Sequence, residues 1–538
     1  MSSAEKEPAT KGKAARGEGL DSSTGSVWEL GGTPMRINDL VALARGERAL
    51  KLAESARARI DRSAEVFAKL HARGDAIYGV TTSVGGSVGT EVPKAHSADL
   101  SLNVLRMHGC GFGQILNEAE AAAVILVRLS SLAHGMSGVR LVVADRLVEL
   151  LRQGVLPQIP SEGSVGASGD LTPLSYVAAL LVGEREVFYR GETRKASEVL
   201  EELGLSALRL DPKEALALMN GTSVATALSC LAWERARRLA RLASSVAAAT
   251  ALAIDGNAGH FDERIHAAKP HPGQQRVARW IRSDLSGMPE PGASTRLQDR
   301  YSVRCAPHVI GVLVDSLRWT EELLETELNG VSDNPIVDVE AEEILHGGNF
   351  YGGHVAQACD SLKAAVANVA CLLDRQVMLL CHPEENGGLP TDLVGMEGSE
   401  ACAHNGFKAA SIAASSMAAE AMKLTMPASA FSRSTELHNQ DKVPMATTAA
   451  RDLLRVVELA EQVLSVALLA ACQAMDLRGV TGTGALSELR GALRSEVPRL
   501  TEDRRMDVDW AAALEMLRNG RLTAHLSTAD GGEFEELG

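Results

Sequence analysis

Apolar residues recur at spacings of three and four over long stretches of the chain. In 310–328, Ile310, Leu313, Leu317, Leu324 and Leu328 fall on one helical face. In 362–380, Leu362, Val366, Val369, Leu373, Val377 and Leu380 do the same. Residues 449–475 predict a third long helix, with Leu453, Val457, Ala460, Leu464, Leu468 and Ala471 in register. The apolar character extends well around each cylinder, as expected of helices buried among others and between subunits. Residues 117–154 read as helix, broken at Gly135-Met136-Ser137-Gly138. From Trp28 to about Val80, short helical patterns lead into a Gly/Thr/Ser-rich loop, 78-YGVTTSVGGSVG-89. No βαβ alternation and no internal repeat is visible. The expected fold is mainly α, with a central bundle of long helices.

Between the helices lie polar stretches, where sites tend to be placed. They are 294-STRLQDRYSVRCAPH-308, 330-GVSDNPIVDVE-340, 346-HGGNFYGGH-354 and 383-PEENGGLPTD-392. The N-terminal 26 residues carry no apolar segment and read as a solvated tail. The expected organisation is a tail over 1–27, an N-terminal domain over 28–220, the helical bundle over 221–500 and a C-terminal segment over 501–538.

Composition sharpens this picture. The 538 residues are 45% hydrophobic but only 3% aromatic, which suits closely approaching helices rich in small residues. A formal net charge of -15 argues against nucleic acid or an anionic membrane as partner. Runs such as 242-LASSVAAATALAI-254 are too short to span a bilayer. The eight cysteines form no CxxC pair, and Cys359, Cys371 and Cys381 read as core thiols, so a reducing cytoplasm fits. Three glycine-rich stretches are set aside. Gly109-Cys110-Gly111-Phe112-Gly113 follows no predicted strand, Gly482-Thr483-Gly484 lacks the dinucleotide spacing, and Gly79-Val80-Thr81-Thr82-Ser83 has no lysine after it. No histidine spacing suggests a metal site.

One stretch stands apart. Gly166-Ala167-Ser168-Gly169-Asp170 sits between a Pro-flanked entrance and the apolar run 171-LTPLSYVAAL-180. GSVGASGDLTPLSYVA resembles the signature of the ammonia-lyases and aminomutases that use 4-methylidene-imidazol-5-one (MIO). YGVTTS (78–83), PKEALALMNGTS (212–223), KPHPGQ (269–274), LQDRYSVR (297–304), SDNPIVDVE (332–340), HGGNFYG (346–352), NGGLP (386–390), HNQD (438–441) and QAMDLR (473–478) occur in that family's order. The likeness covers roughly residues 30–500. It implies a fumarase/aspartase-like helical fold, a homotetramer whose sites draw on more than one chain, and no metal or nucleotide.

In such proteins the Ala-Ser-Gly segment cyclises. The Gly169 nitrogen attacks the Ala167 carbonyl carbon and two waters leave, one of them from the Ser168 side chain. Glycine leaves that nitrogen sterically free, and serine supplies the exocyclic methylidene. The product is an electrophile that no side chain offers. The chemistry needs one, because general-base catalysis alone contributes only about 10²–10⁴ and the β-proton of an aromatic amino acid is barely acidic.

The remaining roles follow motif by motif. Tyr78 resembles the family's base on a mobile loop, and its pKa is expected to be lowered by a positive field. Arg304 resembles the substrate-carboxylate clamp, for which a planar fork suits better than lysine; the competing expectation is a structural salt bridge. Tyr301 and Gln298 would share its face if 298–304 is helical. Asn220 and Phe350 match positions lining the MIO pocket, and Asn334 and Asn349 are expected to hold loops. Met107 and His108 occupy the pair of positions that touch the distal end of the substrate ring. Histidine at the second of these resembles histidine ammonia-lyases and tyrosine aminomutases. Glu420 resembles a further ring-facing position that is acidic in the same two groups and an amide in phenylalanine enzymes. A buried His and Glu need a polar partner, which a phenyl ring cannot supply.

YGVTTS, KPHPGQ and NGGLP look closer to the bacterial phenylalanine-type enzymes, while Tyr351 and His308 depart from the family's usual His and Gln. The order of readings is ammonia elimination from tyrosine, then tyrosine 2,3-aminomutase, then histidine and phenylalanine ammonia-lyase. An inactive structural relative is the alternative of another class. The intact Ala-Ser-Gly, Tyr78, Tyr301 and Arg304 speak against it.

Overall fold

The computed structural model describes residues 27–286 and 297–524; the expected N-terminal tail, apart from its last residue, and the last fourteen residues of the C-terminal segment lie outside that range. The N-terminal third opens with β1 (Trp28–Leu30), α1 (Ile37–Ala44) and β2 (Leu50–Leu52), and β1 pairs with β2 in parallel. This is a small βαβ unit that the sequence pattern did not reveal, because three-residue strands are too short to show a period. α2 (Glu54–Arg73) is a single long helix where short patterns were expected. It ends at Gly74 in the left-handed region, a common helix stop.

There follow α3 (Ser97–Met107), β3 (Phe112–Ile115), α4 (Glu118–Leu132), α5 (Leu141–Arg152), β4 (Leu156–Pro157), β5 (Pro160–Glu162) and α6 (Leu171–Leu181). Asn117 caps α4 and exchanges bonds with Glu120, a capping box. The break between α4 and α5 falls at the predicted Gly135–Gly138. β3 pairs with β5 antiparallel, and β4 pairs with the hairpin of β6 (Glu186–Tyr189) and β7 (Glu192–Lys195). α7 (Ala196–Glu202) and α8 (Glu214–Met219) complete this part.

The centre is a bundle. α9 (Ser223–Ala253), α10 (Glu263–Ala267), α11 (Pro272–Asp284), α12 (Tyr301–Arg304) and α13 (Ala306–Leu328) precede the hairpin β8 (Ile336–Asp338) and β9 (Glu343–Leu345). α14 (Gly353–Cys381), α15 (Lys408–Lys423), α16 (Ala446–Arg478), α17 (Gly484–Glu496) and α18 (Met506–Arg518) follow. α14 lies against α13, α15 and α16, and α9 lies against α4, α13 and α16. The three predicted long helices are α13, α14 and α16. A fourth, α9, escaped the pattern. Its residues are buried all round except Leu231 and Arg235, so it has no polar face to mark a period. Its buried charges are paired: Arg241 meets Asp284 of α11 at 3.0 Å through both terminal nitrogens.

α14 is long and apolar enough to cross a membrane, but 72% of its most apolar window is buried inside this fold. All eight cysteines are unpaired. The stretch expected as a polar loop over 294–308 is loop only to Arg300 among its described residues, since α12 and α13 occupy the rest.

Candidate active site

Ser168 sits where helices begin. α6 starts at Leu171, three residues on. The first amides of α9, Val224 N and Ala225 N, both donate to Asp170 Oδ2 at 2.8 Å. Thr447, in the first turn of α16, donates its hydroxyl to Asp170 Oδ1. A Cβ on Gly352, which precedes α14, would lie 3.0 Å from Ala446 and 3.1 Å from Thr222. Four helix N-termini therefore converge here, and each contributes partial positive charge. Burial pushes the Asp170 carboxyl up to about 6, against the pull of Thr447 and the two amides.

The tripeptide itself is pinned. The chain turns so tightly at Ser168 that Ala167 and Gly169 register as bridge partners, and Gly169 also bridges to Gly221. Asp170 N donates to Gly221 O at 2.7 Å. Gly169 has φ +73°, and a Cβ there would lie 2.1 Å from Gly221 O, so only glycine fits. Gly221 is in turn packed against Arg128, which is fully buried on α4 and donates to Asn220 O and Ser332 O at 2.8 Å each. Gln440 Nε2 donates to Ser168 Oγ at 3.2 Å. These residues fit the group that the Ala-Ser-Gly motif implies: a compressed turn that pairs Ala167 with Gly169, a position where only glycine fits, and a serine hydroxyl already hydrogen-bonded.

Asn220 is buried and donates to Asn334 O at 2.8 Å, while Asn334 accepts from Gly347 N at 2.8 Å. Ser332 Oγ donates to Asn349 O at 3.1 Å, beside the half-buried Phe350. Tyr78 N donates to His346 Nε2 at 3.2 Å. A cavity of about 450 Å3 opens beside Tyr78, lined also by Thr82, Val88, Asn334 and His346. That is within the usual range of small-molecule sites, about 300–1,000 Å3. The 332–349 loop thus ties the Tyr78 segment to Asn220 and the Ser168 turn.

The expected positive field at Tyr78 is not present among the described residues. Burial pushes the phenol up, and the Glu436 carboxylate adds to that; only the Gly85 N–H, donating to the hydroxyl at 2.7 Å, opposes them. Glu436 also accepts from Gly86 N. His108 closes α3. Its Nδ1 meets Val104 O at 2.8 Å, so Nδ1 carries the hydrogen and Nε2 of the neutral ring is an acceptor. Burial holds this imidazole below its usual range, the Val104 bond opposes, and Arg185 assists. Met107 beside it is exposed.

One expectation is corrected, the shared helical face of 298, 301 and 304. Gln298 precedes α12 and is exposed, so only Tyr301 and Arg304 share a helical turn. Glu420 stands on the outer side of α15, half-exposed, and pairs with Arg455 at 2.9 Å. The side chain that reaches Ser168 from this part of the chain is an amide, Gln440, carried by a hairpin in which Thr435 and Gln440 pair around a left-handed turn at Glu436–His438.

Tyr301 and Arg304 lie elsewhere. Arg304 Nε donates to Asp299 O at 3.0 Å, and its guanidinium stacks 4.5 Å over the Tyr301 ring, which is 71% exposed. No carboxylate among the described residues pairs with Arg304, so the structural salt bridge is not realised. Asp299 bonds Asn257, just past the end of α9, and Ser302 bonds Gln376 near the end of α14. Ser168 lies at the starts of the same two helices. α9 has 31 residues and spans roughly 45 Å at about 1.5 Å per residue. Within one chain, Arg304 and Ser168 are at opposite ends of the bundle.

A helical bundle with an Ala-Ser-Gly turn held under helix N-termini defines a class of carbon-nitrogen lyases. The aromatic amino acid lyase family model matches residues 35–495, and the chain belongs to that family. It is 36% identical over 511 residues to the histidine ammonia-lyase of Koribacter versatilis, covering 92% of this chain and 98% of that one. Among solved structures it resembles the tyrosine aminomutase of Streptomyces globisporus, with TM-score 0.88 and 32% identity over 94% of this chain and 99% of that one. It also resembles the histidine ammonia-lyase of Trypanosoma cruzi, with TM-score 0.87 and 32% identity over 95% and 97%. The fold is that of the helical fumarase/aspartase-like class, and the protein is an enzyme.

Proposed function

We propose that this enzyme eliminates ammonia from an aromatic L-amino acid, with tyrosine as the favoured substrate, using an MIO group made from Ala167, Ser168 and Gly169. When formed, that group supplies the electrophile that turns the substrate amine into a leaving group. Gly221, Arg128 and Asp170 hold the turn, and Gln440 holds the Ser168 hydroxyl. Tyr78 is the base for the β-proton and stands beside the cavity. Asn220 and Phe350 line the pocket floor. Arg304 grips the carboxylate with its two terminal nitrogens, and Tyr301 keeps its guanidinium flat. Because the clamp and the turn sit at opposite ends of α9, a 31-residue helix roughly 45 Å long, a second copy supplies Tyr301 and Arg304, as in a homotetramer in the cytoplasm.

The observation that carries the tyrosine reading is the His108 tautomer. An Nε2 acceptor at the ring end suits a phenol hydroxyl, while the residue at Ser168 is an amide, Gln440, and Glu420 is held by Arg455. Histidine is the second reading: an imidazole N–H also suits that acceptor, and similar curated proteins such as that of Koribacter versatilis are histidine ammonia-lyases. Incubation with tyrosine, histidine and phenylalanine separately, with product mass and chirality determined, tests this. Coumarate from tyrosine supports the first reading, β-tyrosine makes the enzyme an aminomutase, and urocanate alone replaces tyrosine by histidine.

A further inference from the structure

The turn that carries His108 is gripped from one side by a loop between α6 and β6. Arg185 sits there at φ +69°, a left-handed backbone that glycine adopts without strain and that a residue with a side chain adopts at a cost. Its side chain is fully engaged. NH2 donates to Leu105 O at 3.1 Å, in the last turn of α3, and NH1 donates to Ser175 Oγ at 2.8 Å. Ser175 Oγ shares its one hydrogen between Thr172 O at 2.7 Å and His108 O at 3.1 Å. The guanidinium lies 4.3 Å over the Tyr176 ring, and the Tyr176 hydroxyl accepts from Gly111 N at 3.3 Å. The adjacent Glu184 pairs with Arg106 at 2.5 Å. Between them, Arg185, Ser175 and Tyr176 hold Leu105, His108 and Gly111, three points along one turn.

We propose that Arg185 is the specificity-positioning residue of this enzyme. It fixes where His108 Nε2 points, and its positive charge helps keep the imidazole neutral, hence an acceptor, for a hydroxyl-bearing or N–H-bearing ring. The planar fork is what allows one side chain to bond Leu105 O and Ser175 Oγ while stacking on Tyr176, which lysine cannot reproduce. A cation at the carbonyl end of α3 is also favourable in itself. Arg185 does not touch the substrate; it acts through His108, and the proposal rests on the reading of His108 as ring-facing.

The test compares kcat/KM for tyrosine and phenylalanine in wild type, Arg185→Met, Ser175→Ala, Arg185→Lys, His108→Phe and Arg185→Met/His108→Phe. Arg185→Met is expected to lower the tyrosine-to-phenylalanine ratio about three- to tenfold, the worth of one hydrogen bond made or lost. Ser175→Ala should shift it the same way, and Arg185→Lys should fall between wild type and Arg185→Met. In the His108→Phe background, Arg185→Met should have no further effect on the ratio, because coupled residues are not additive. A merely structural role would lower kcat/KM for both amino acids alike and leave their ratio unchanged. The proposal is overturned if the ratio stays within about twofold of wild type in Arg185→Met and Ser175→Ala while His108→Phe lowers it. It is equally overturned if Arg185→Met lowers the ratio by the same factor with Phe at 108. If His108→Phe itself leaves the ratio unchanged, the ring-facing reading of His108 fails first and takes this inference with it. Should Arg185→Met not fold, Ser175→Ala decides on the same criteria.

Discussion

The two ends of the helical bundle are built on different terms. At one end, Ser168 is held by groups of its own chain, most of them buried. Asp170 bonds Gly221 and Thr447, Arg128 and Thr222 both bond Ser332, and Gln440 reaches the serine. At the other end, Tyr301 stands 71% exposed and Arg304 has no carboxylate partner among the described residues. The first end bends a tripeptide with groups already in place; the second presents an exposed ring and guanidinium. On the proposed function, the electrophile belongs to a folded chain and substrate binding to an assembly.

The largest effects are expected at the Ser168 end. Ser168→Ala removes the methylidene source, and Gly169→Ala puts a Cβ 2.1 Å from Gly221 O; both should reduce turnover by several orders of magnitude. Mass spectrometry of the 160–175 peptide should show the two-water loss in wild type and its absence in both variants. Tyr78→Phe keeps the ring and removes the base, so kcat should fall by about 10²–10⁴ with little change in KM. His108→Phe should lower the tyrosine-to-phenylalanine preference by about ten- to a hundredfold, as a buried hydroxyl loses its partner.

Smaller effects follow from the charges. Burial and Glu436 both hold the Tyr78 phenol above its usual range. Glu436→Gln removes one of these while keeping an acceptor for Gly86 N. The phenol pKa then falls, more phenolate is present at a given pH, and the alkaline rise of kcat/KM moves to lower pH. A profile that moves the other way, or not at all, removes Glu436 from this account. The smallest effect belongs to Glu420→Gln, which breaks an exposed ion pair worth ~0–1 kcal/mol. Turnover should stay within about twofold of wild type, whichever amino acid is used.

The sequence shows some of these features plainly and hides others, for reasons that lie in the packing. α13, α14 and α16 are legible because each keeps a polar flank that marks the period. α9 is buried all round and offers none, although it supplies the amides beneath Asp170. The Ala-Ser-Gly turn, Tyr78 and Arg304 are legible as motifs with their own chemistry. Gln440 lies within the quoted HNQD motif, yet its reach to Ser168 depends on a hairpin closed by Thr435 and on a left-handed turn over Glu436–His438. No spacing rule predicts such a turn in residues other than glycine. Glu420 reads as ring-facing only through the family resemblance, and its partner Arg455 lies 35 residues away, where no local pattern shows it. Arg185 carries no motif at all; only its contacts distinguish it.

The contrast between the two ends is tested most directly by complementation. Ser168→Ala and Arg304→Ala chains, each inactive alone, are co-expressed with different tags, and the mixed oligomer is purified through both. If sites draw the Ser168 turn and Arg304 from different copies, the mixed oligomer turns over substrate far above the sum of the two parents. A purified mixed oligomer as dead as its parents would mean that each chain carries its whole site, and would contradict the account.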